Sequence, residues 1–246
     1  MDVLRAGTAR APTARAPTVL ESEREFHSSC AVKSFAQSRL YTFVDTAYVA
    51  GRPPELVARQ LCDGGADVLQ IRAKGATVVE VRRMVELIKP VTDRARVILV
   101  INDHPDVAAE MGADAVHLGQ EDFFDRGLEH ANEVTGTPSR FQLGLSTHAP
   151  AQAERAVAAG PAYLAIGPIY TTPTKPGRPA VTLDYVRWAA ANIRRPWFAI
   201  GGINLGNLDE VLAAGATRVC VVSAILRAPD VARACQEFRK RLGSAR

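Results

Sequence analysis

The sequence predicts an α/β fold, a single-domain (β/α)8 TIM barrel, from three features of the chain. Four stretches repeat one form, in which a helical pattern ends at glycine and a short turn leads into an apolar run. The runs are continuously apolar and do not alternate, which is typical of parallel strands covered by helices. Eight such strand–helix units follow one another in about 205 residues, a length that suits a compact barrel. The repeats cover residues 64–72, 111–119, 159–167 and 214–222.

The predicted strands are these apolar runs and others like them. Glycine precedes each repeated turn because it has no Cβ and readily adopts the left-handed conformation that ends a helix. The first strand is Leu40–Asp45, four strands close the repeated stretches, and three lie between them at Val97–Ile101, Phe141–Leu145 and Trp197–Ile200.

A helical pattern follows each strand. Pro54 opens the first helix, as first-turn positions allow, and the second has apolar residues at the helical spacing 78, 81, 84, 85 and 88. The predicted helices are Pro54–Leu61, Val78–Ile88, Pro105–Met111, Arg126–Val134, Ala149–Ala159, Leu183–Ala191, Asn207–Ala213 and Asp230–Leu242. A doubly wound dinucleotide-binding sheet would have fewer strands and a Gly-x-Gly-x-x-Gly motif after the first strand, which this sequence lacks.

The first 37 residues differ in composition from the rest of the 246-residue chain. They are rich in Ala, Arg, Pro, Thr and Ser and have few large apolar residues, so they cannot bury enough surface to offset the entropy of ordering. We therefore predict a disordered extension at 1–37 and a catalytic barrel domain at 38–246. An organellar transit peptide and a start codon assigned too far upstream are the alternatives. A chain that begins at Ser38 should keep its thermal midpoint and activity.

Composition limits the classes of partner. The net charge is +4 with no clustered Lys/Arg stripe, which argues against a nucleic-acid partner. No apolar run approaches about 18 residues, so no transmembrane helix is expected. The four cysteines form no C-x-x-C pair, which favours a reducing cytoplasmic compartment. Small-molecule substrates are the expected partners, and a homo-oligomer is compatible with the sequence.

Polar residues follow the second, third and fourth strands, at the barrel end where active sites lie. Gln70, Arg72 and Lys74 alternate along the chain and so point the same way, which suits a polyanionic ligand; cations on an exposed loop are the alternative. Asp103 and Asp122 follow adjacent strands. Such carboxylates suit Mg²⁺ held together with substrate phosphates, unless Asp122 only caps a helix.

The later strand ends suggest further anion binding. Ser146 ends the fifth strand without a Gly-x-Ser-x-Gly elbow, so it is not expected to be a nucleophile. The loop over residues 167–178 carries hydroxyls and cations and no carboxylate; it is a candidate phosphate clamp and lid, or a solvated loop. Gly202 and Ser223 follow the seventh and eighth strands, where many barrels bind phosphate; tight turns are the alternative.

The residues alone thus predict two anion sites that face each other. One would suit a diphosphate with Mg²⁺ and the other a monophosphate. No paired general acid and base stands out, which favours a reaction driven by departure of a leaving group.

Seven motifs in order along residues 39–242 resemble the thiamine phosphate synthase (thiamine-phosphate pyrophosphorylase) family. They are Gln70-x-Arg72-x-Lys74, Asn102-Asp103, His117–Gln120 with Asp122, Gly144–His148, Gly167–Tyr170 with Thr172, Thr174 and Lys175, Gly201–Ile203, and Val222–Ile225. The resemblance implies a transferase that joins 4-amino-2-methyl-5-(diphosphooxymethyl)pyrimidine with a thiazole monophosphate. The products would be thiamine monophosphate and pyrophosphate, formed by a dissociative, Mg²⁺-assisted reaction.

The resemblance also implies a role for each matching residue. The pyrimidine diphosphate would be held by Gln70, Ile71, Arg72, Ala73, Lys74, Asn102, Ser146 and Lys175, of which Arg72, Ser146 and Lys175 would be catalytic. The thiazole phosphate would be held by Thr172, Pro173, Thr174, Gly202, Val222 and Ser223. Asp103 and Asp122 would bind Mg²⁺, and His117 matches the pattern without an assigned role.

Two other functions compete with the synthase. A thiazole tautomerase-like isomerase would share the barrel and the phosphate site, and a non-catalytic binder of thiamine-pathway phosphates would need no chemistry. The carboxylates and cations expected to hold a diphosphate are all present, which favours the synthase. Release of pyrophosphate would separate it from both alternatives.

Overall fold

A computed structural model of the chain describes residues 1, 34–49, 51–172 and 179–244. The chain divides into two compact units, Met1–Val32 and Lys33–Arg246. All the elements below belong to the second unit. Most of the extension predicted over 1–37 lies outside the described residues, so its disorder stays a prediction.

Eight parallel strands close into a barrel, each paired with the next and the last with the first, which confirms the predicted fold. The strands are β1 Leu40–Asp45, β2 Val68–Arg72, β3 Ile98–Asn102, β4 Ala115–Gly119, β5 Gln142–Thr147, β6 Tyr163–Ile166, β7 Trp197–Ile200 and β8 Val219–Cys220. Nearly every strand residue is buried. This is expected because one face of each strand packs in the barrel interior and the other face packs against the surrounding helices.

Helices surround the barrel. They are α1 Thr46–Val49, α2 Pro54–Asp63, α3 Val78–Ala95, α4 Pro105–Met111, α5 Gln120–Phe124, α6 Asn132–Thr135, α7 Pro150–Ala159, α8 Thr182–Asn192, α9 Leu208–Ala213, α10 Ser223–Leu226 and α11 Val231–Ser244. None of the helices in the described part of the chain has both the length and the hydropathy that a bilayer crossing needs.

Two helices differ from their predicted bounds by more than two residues. The helix predicted over Arg126–Val134 is wrong, because Gly127 has a φ of 77° that helical backbone does not allow, and only the short α6 forms. The helix predicted over Val78–Ile88 extends through Pro90 to Ala95. Its buried face continues with Thr92 beyond the proline, and that burial offsets the one backbone hydrogen bond that proline cannot donate.

Phe35 shows that packed structure begins before Ser38. Its ring is buried and stacks on Tyr163, the first residue of β6, with ring centroids 4.2 Å apart. It also meets Phe198 edge-on, so it closes the N-terminal end of the barrel. Arg218 holds the same segment by donating to the Ala36 carbonyl at 2.6 Å.

This packing changes the expectation for a chain that begins at Ser38. Removal of the Phe35 side chain should cost on the order of 3 kcal/mol of unfolding free energy, as for other buried aromatic rings, and lower the thermal midpoint by several degrees. A chain that begins at Lys33 keeps the ring and should melt like the full chain. Thermal unfolding measures the midpoints of the full chain, of the two truncated chains and of the Phe35→Ala variant. Equal midpoints for all four proteins would show that the Phe35 ring adds no stability.

The Gly-Ala-Asp form of two repeated turns has a structural role. Asp67 accepts hydrogen bonds from the backbone N–H of Arg39 at 2.8 Å and of Leu40 at 3.1 Å, and its carboxylate pairs with Arg239. Asp114 accepts from the N–H of Leu99 at 2.8 Å. Each carboxylate thus fixes the entrance of a neighbouring strand.

Asp67→Asn should destabilise the barrel more than Asp114→Asn. The first substitution removes the charge from a buried carboxylate that binds two N–H groups and a guanidinium, at a cost of about 2–4 kcal/mol. The second affects one hydrogen bond, worth about 1 kcal/mol. Chemical denaturation of the two variants measures the difference, and a larger loss for Asp114→Asn would contradict this account.

Candidate active site

A cavity opens at the C-terminal ends of the strands, where the active sites of barrel enzymes lie. Every strand contributes to its wall, from β1 to β8: Phe43, Gln70 and Arg72, Asn102, His117, Ser146, Ala165, Ile200 and Cys220. Eight of the predicted site residues line it together: Gln70, Arg72, Asn102, Ser146, Thr172, Gly202, Val222 and Ser223.

Arg72 is held in place by Asp45, a residue that sequence analysis did not assign to the site. The two are paired in register at the ends of β2 and β1, and the guanidinium donates to the carboxylate at 2.8 Å. The Asp45 side chain is 1% exposed and that of Arg72 is 12% exposed. This pairing leaves the remaining N–H groups of the guanidinium for an anion in the cavity. The sequence signal that could have identified Asp45 was its position as a polar residue at the end of the apolar strand β1.

Lys74 and Asp103 form an ion pair beside the cavity, across the ends of β2 and β3. The Asp103 backbone has a φ of 64°, a conformation that L-residues adopt at a cost and that is common at functional sites. Its N–H donates to the His117 carbonyl at 3.0 Å. The carboxylate is therefore presented by a fixed, strained turn and not by a flexible loop.

Asp122 lies in the first turn of α5 and is exposed. The N-cap of that helix is Gly119, with no side-chain capping bond, and Asp122 is the third residue of the helix. A Cβ on Gly119 would lie 2.6 Å from the Asp122 carboxylate. Because Gly119, at the end of β4, has no side chain, there is space for the Asp122 carboxylate.

The other predicted residues lie elsewhere. Ile71 and Ala73 are buried and do not line the cavity, because they alternate with Gln70 and Arg72 along the strand. Pro173, Thr174 and Lys175 lie outside the described residues, and their roles stay predictions.

The end of β5 is braced by a tyrosine on α8. The Tyr185 hydroxyl is 2.8 Å from the Thr147 Oγ1 and donates to the Ala149 carbonyl at 3.0 Å. Burial raises the pKa of Tyr185 to about 12. The brace fixes the turn between Ser146 and α7, and with it the position of the Ser146 hydroxyl.

His148 lines the cavity and had no role assigned from the sequence. Its Nδ1 bonds to the Gly167 carbonyl, which can only accept, so Nδ1 carries a proton. Its Nε2 lies 4.0 Å from the Glu121 carboxylate. The ring thus joins the ends of β4, β5 and β6. Its place at the end of the Gly144–His148 motif, directly after Ser146-Thr147, was the sequence signal.

The turn after β7 is built from two glycines in the left-handed region, Gly201 at φ 103° and Gly202 at φ 68°. The loop after β6 lies directly against it: Tyr170 donates its N–H to the Gly201 carbonyl at 3.1 Å. A Cβ on Gly202 would lie 2.6 Å from the Cβ of Tyr170 and 2.9 Å from the Thr171 carbonyl. Only glycine fits between the two loops.

The short helix α10 starts directly after β8, with Val222 before it and Ser223 as its first residue. Both line the cavity beside Gly202. Backbone N–H groups at the start of a helix carry partial positive charge. This corner of the cavity can therefore hold an anion without a basic side chain.

Comparisons with known proteins agree with this geometry. The sequence pattern of a family described as thiamine monophosphate synthase matches residues 40–225. A thiamine-phosphate synthase from Thermus thermophilus is 50% identical over 180 residues, 73% of this chain and 84% of that protein. One from Acidothermus cellulolyticus is 46% identical over 215 residues, 86% and 98% of the two chains. The solved thiamine phosphate pyrophosphorylase from Pyrococcus furiosus superposes with a TM-score of 0.74 at 28% identity, over 84% of this chain and 96% of that one.

Proposed function

The chain belongs to the thiamine monophosphate synthase family, and from this premise we propose how its cavity carries out the reaction. It is a thiamine-phosphate synthase, a transferase of thiamine biosynthesis that acts on small molecules. Its substrates are the aminopyrimidine diphosphate and a thiazole monophosphate, and its products are thiamine monophosphate and pyrophosphate. The observation that carries the proposal is one cavity with Arg72 in its wall at the end of β2, next to the Lys74–Asp103 ion pair, and with a corner at α10 that no cation of the described residues lines.

The diphosphate binds at the end of β2. Arg72, oriented by Asp45, offers paired N–H donors that match phosphate oxygens, and Asn102 lies beside it in the cavity wall. Lys74, 57% exposed, is free to turn from Asp103 towards the diphosphate. Lys175 is proposed to complete this cluster.

The carboxylates at the ends of β3 and β4 fit Mg²⁺. No group of three metal-ligating side chains occurs among the described residues, but Mg²⁺ keeps several waters and needs only one or two carboxylates together with substrate phosphates. Asp103 and Asp122 supply that set, and Asp103 is fixed by its turn. When bound, Mg²⁺ would neutralise charge on the diphosphate.

The thiazole phosphate binds opposite, at Gly202, Val222 and Ser223. Gly202 lies in the cavity wall, and α10 has the place in the fold of the short extra helix at which many barrels bind phosphate. Thr172, Pro173 and Thr174 are proposed to close over this end.

The bond between the pyrimidine methylene carbon and the diphosphate oxygen breaks first, and pyrophosphate leaves with the electron pair. Arg72, Lys74 and Lys175 stabilise the charge that develops on the leaving group. The thiazole nitrogen then forms the new bond to the methylene carbon. Ser146, buried at the end of β5, holds the leaving group and pyrimidine in line.

Buried thiols support a reducing, cytoplasmic location. Cys220 and Cys235 are buried; burial raises the pKa of Cys235 to about 12 and that of Cys220 well above its usual value. Thiols with such pKa values are unreactive, so Cys235 belongs to the core and Cys220 is an unreactive part of the cavity wall.

A pyrophosphate-release assay tests the function. With both substrates and Mg²⁺, pyrophosphate and thiamine monophosphate should form in equal amounts, and omission of either substrate or of Mg²⁺ should abolish both. Isomerisation of the thiazole without pyrophosphate would identify a tautomerase, and binding without turnover would identify a non-catalytic protein; either result contradicts the proposal.

A further inference from the structure

Four polar side chains from four different strands form a hydrogen-bonded row inside the barrel. Gln70 Nε2 donates to the Tyr41 hydroxyl at 2.7 Å, which is 2.9 Å from the Tyr163 hydroxyl, and that hydroxyl is 3.0 Å from His117 Nδ1. Gln70 and His117, the two ends of the row, both line the cavity. Gly144 makes room for the row, because a Cβ there would lie 2.1 Å from the Tyr163 ring.

The number of protons in the row fixes its direction. Burial raises the pKa of both phenols well above the usual value, so each keeps one proton and donates once. Since the Gln70 Nε2 can only donate, Tyr41 accepts there and gives its own proton to Tyr163. Tyr163 then gives its proton to His117 Nδ1, which must be the unprotonated nitrogen of the ring.

The direction of the row determines what Gln70 presents to the cavity. With Nε2 bound to Tyr41, the amide oxygen Oε1 remains for a ligand. If the amide turned over, Oε1 would accept from Tyr41, every bond in the row would reverse, and His117 Nδ1 would have to carry a proton. A buried row of this kind is satisfied in one direction or the other and not in a mixture.

We propose that Tyr41, Tyr163 and His117 are positioning residues that hold the Gln70 amide with its oxygen towards the substrate ring, and so select an aminopyrimidine. This rests on the proposed function, and it places Gln70, which lines the cavity beside Arg72, against the pyrimidine ring of the diphosphate substrate. The exocyclic amine of the ring donates to Oε1. A ring with an oxo group in place of the amine would set its oxygen, an acceptor, against Oε1, another acceptor. The site rejects this ring because Oε1 would lose its hydrogen-bond donor.

Tyr163→Phe breaks the row and keeps the ring. Tyr41 can then donate to Oε1, and the amide is free to turn. The KM for the pyrimidine diphosphate should rise about tenfold, because one lost hydrogen bond of about 1.4 kcal/mol corresponds to a factor of ten in affinity. Discrimination against the oxo analogue should fall by about the same factor. The KM for the thiazole phosphate should stay within about twofold. Tyr41→Phe should behave alike, and the double variant no worse than either single, because all three break one row.

Phe35→Leu is the matched control for packing. It loosens the same Tyr163 ring from the opposite side without touching the row, so it should lower the thermal midpoint and leave both KM values and the discrimination unchanged. If Phe35→Leu raised the pyrimidine KM as much as Tyr163→Phe, the effect would be one of packing and the proposal would be wrong.

The side-chain ¹⁵N shifts of His117 test the row without turnover. In the substrate-free protein at slightly alkaline pH, where imidazole is neutral, Nδ1 should be unprotonated and Nε2 protonated, and Tyr163→Phe should lose this preference. A protonated Nδ1 in the unsubstituted protein, or a preference unchanged in Tyr163→Phe, overturns the proposal. Absence of pyrophosphate release by the unsubstituted protein would instead reject the proposed function, and the shifts would still decide the direction of the row.

Discussion

Asp103→Asn should lower kcat about a hundredfold while the protein keeps its fold, the factor that follows from roughly 2.7 kcal/mol of lost stabilisation of the leaving group. The substitution keeps the shape of the side chain and removes a charged oxygen ligand. Asp122→Asn should act in the same direction. Excess Mg²⁺ should partly rescue each single variant, and a Mg²⁺ titration of pyrophosphate release measures both effects.

Neighbouring carboxylates serve as controls for these two. Asp106 and Asp125 are exposed, one in the first turn of α4 and the other at the end of α5, and their Asn variants should keep the Mg²⁺ dependence of the unsubstituted protein. If Asp103 and Asp122 share one ion, the double variant should be much less impaired than the product of the single effects. An unchanged half-saturation by Mg²⁺ in Asp122→Asn would remove that residue from the metal site.

The barrel could be predicted from the sequence because its signals are local. Each repeated stretch joins a helix end, a turn and an apolar strand within about ten residues, and the β1 bounds Leu40–Asp45 were predicted as observed. Since all strand ends of a barrel meet at one rim, the polar residues after the strands could be assigned to one site from their positions alone. Arg72, Ser146 and Gly202 lie in one cavity wall for this reason.

Contacts between distant segments could not be predicted. Asp45 is a site residue only because β1 and β2 pair in the register that sets it opposite Arg72. Tyr41 and Tyr163 are separated by 122 residues and meet inside the barrel. In the sequence, each is one residue of a mainly apolar strand, and nothing there indicates that their hydroxyls meet. Phe35 was assigned to the extension because its neighbours in the sequence are small and polar, whereas its partners lie on β6 and β7.

The observed turn at Gly202 also bears on how the two proposed anion sites are separated. The loops after β6 and β7 pack so closely that any side chain at this position must displace Tyr170 or Thr171. Both loops border the corner of the cavity where Ser223 starts α10. A change at Gly202 should therefore weaken binding of the thiazole phosphate more than that of the diphosphate, whose proposed cations Arg72 and Lys74 lie at the end of β2.

Gly202→Val should raise the KM for the thiazole phosphate about a hundredfold, roughly 2.7 kcal/mol, and leave the KM for the pyrimidine diphosphate within about twofold. The added side chain strains a backbone at φ 68° and displaces Tyr170 or Thr171, which changes the shape of the corner proposed to hold the phosphate. Gly160→Val is the control, since Gly160 has a φ of 81° with nothing within 4 Å of an added Cβ and lies at the start of the turn into β6, at the other end of the barrel. Gly160→Val strains the backbone in the same way but displaces no neighbouring residue, so it should lower stability and change neither KM.

Gly202→Ala should give an intermediate effect if the valine variant fails to fold. Steady-state kinetics with each substrate varied in turn decide the matter: equal weakening of both substrates would show that the mouth of the barrel is one anion site and not two.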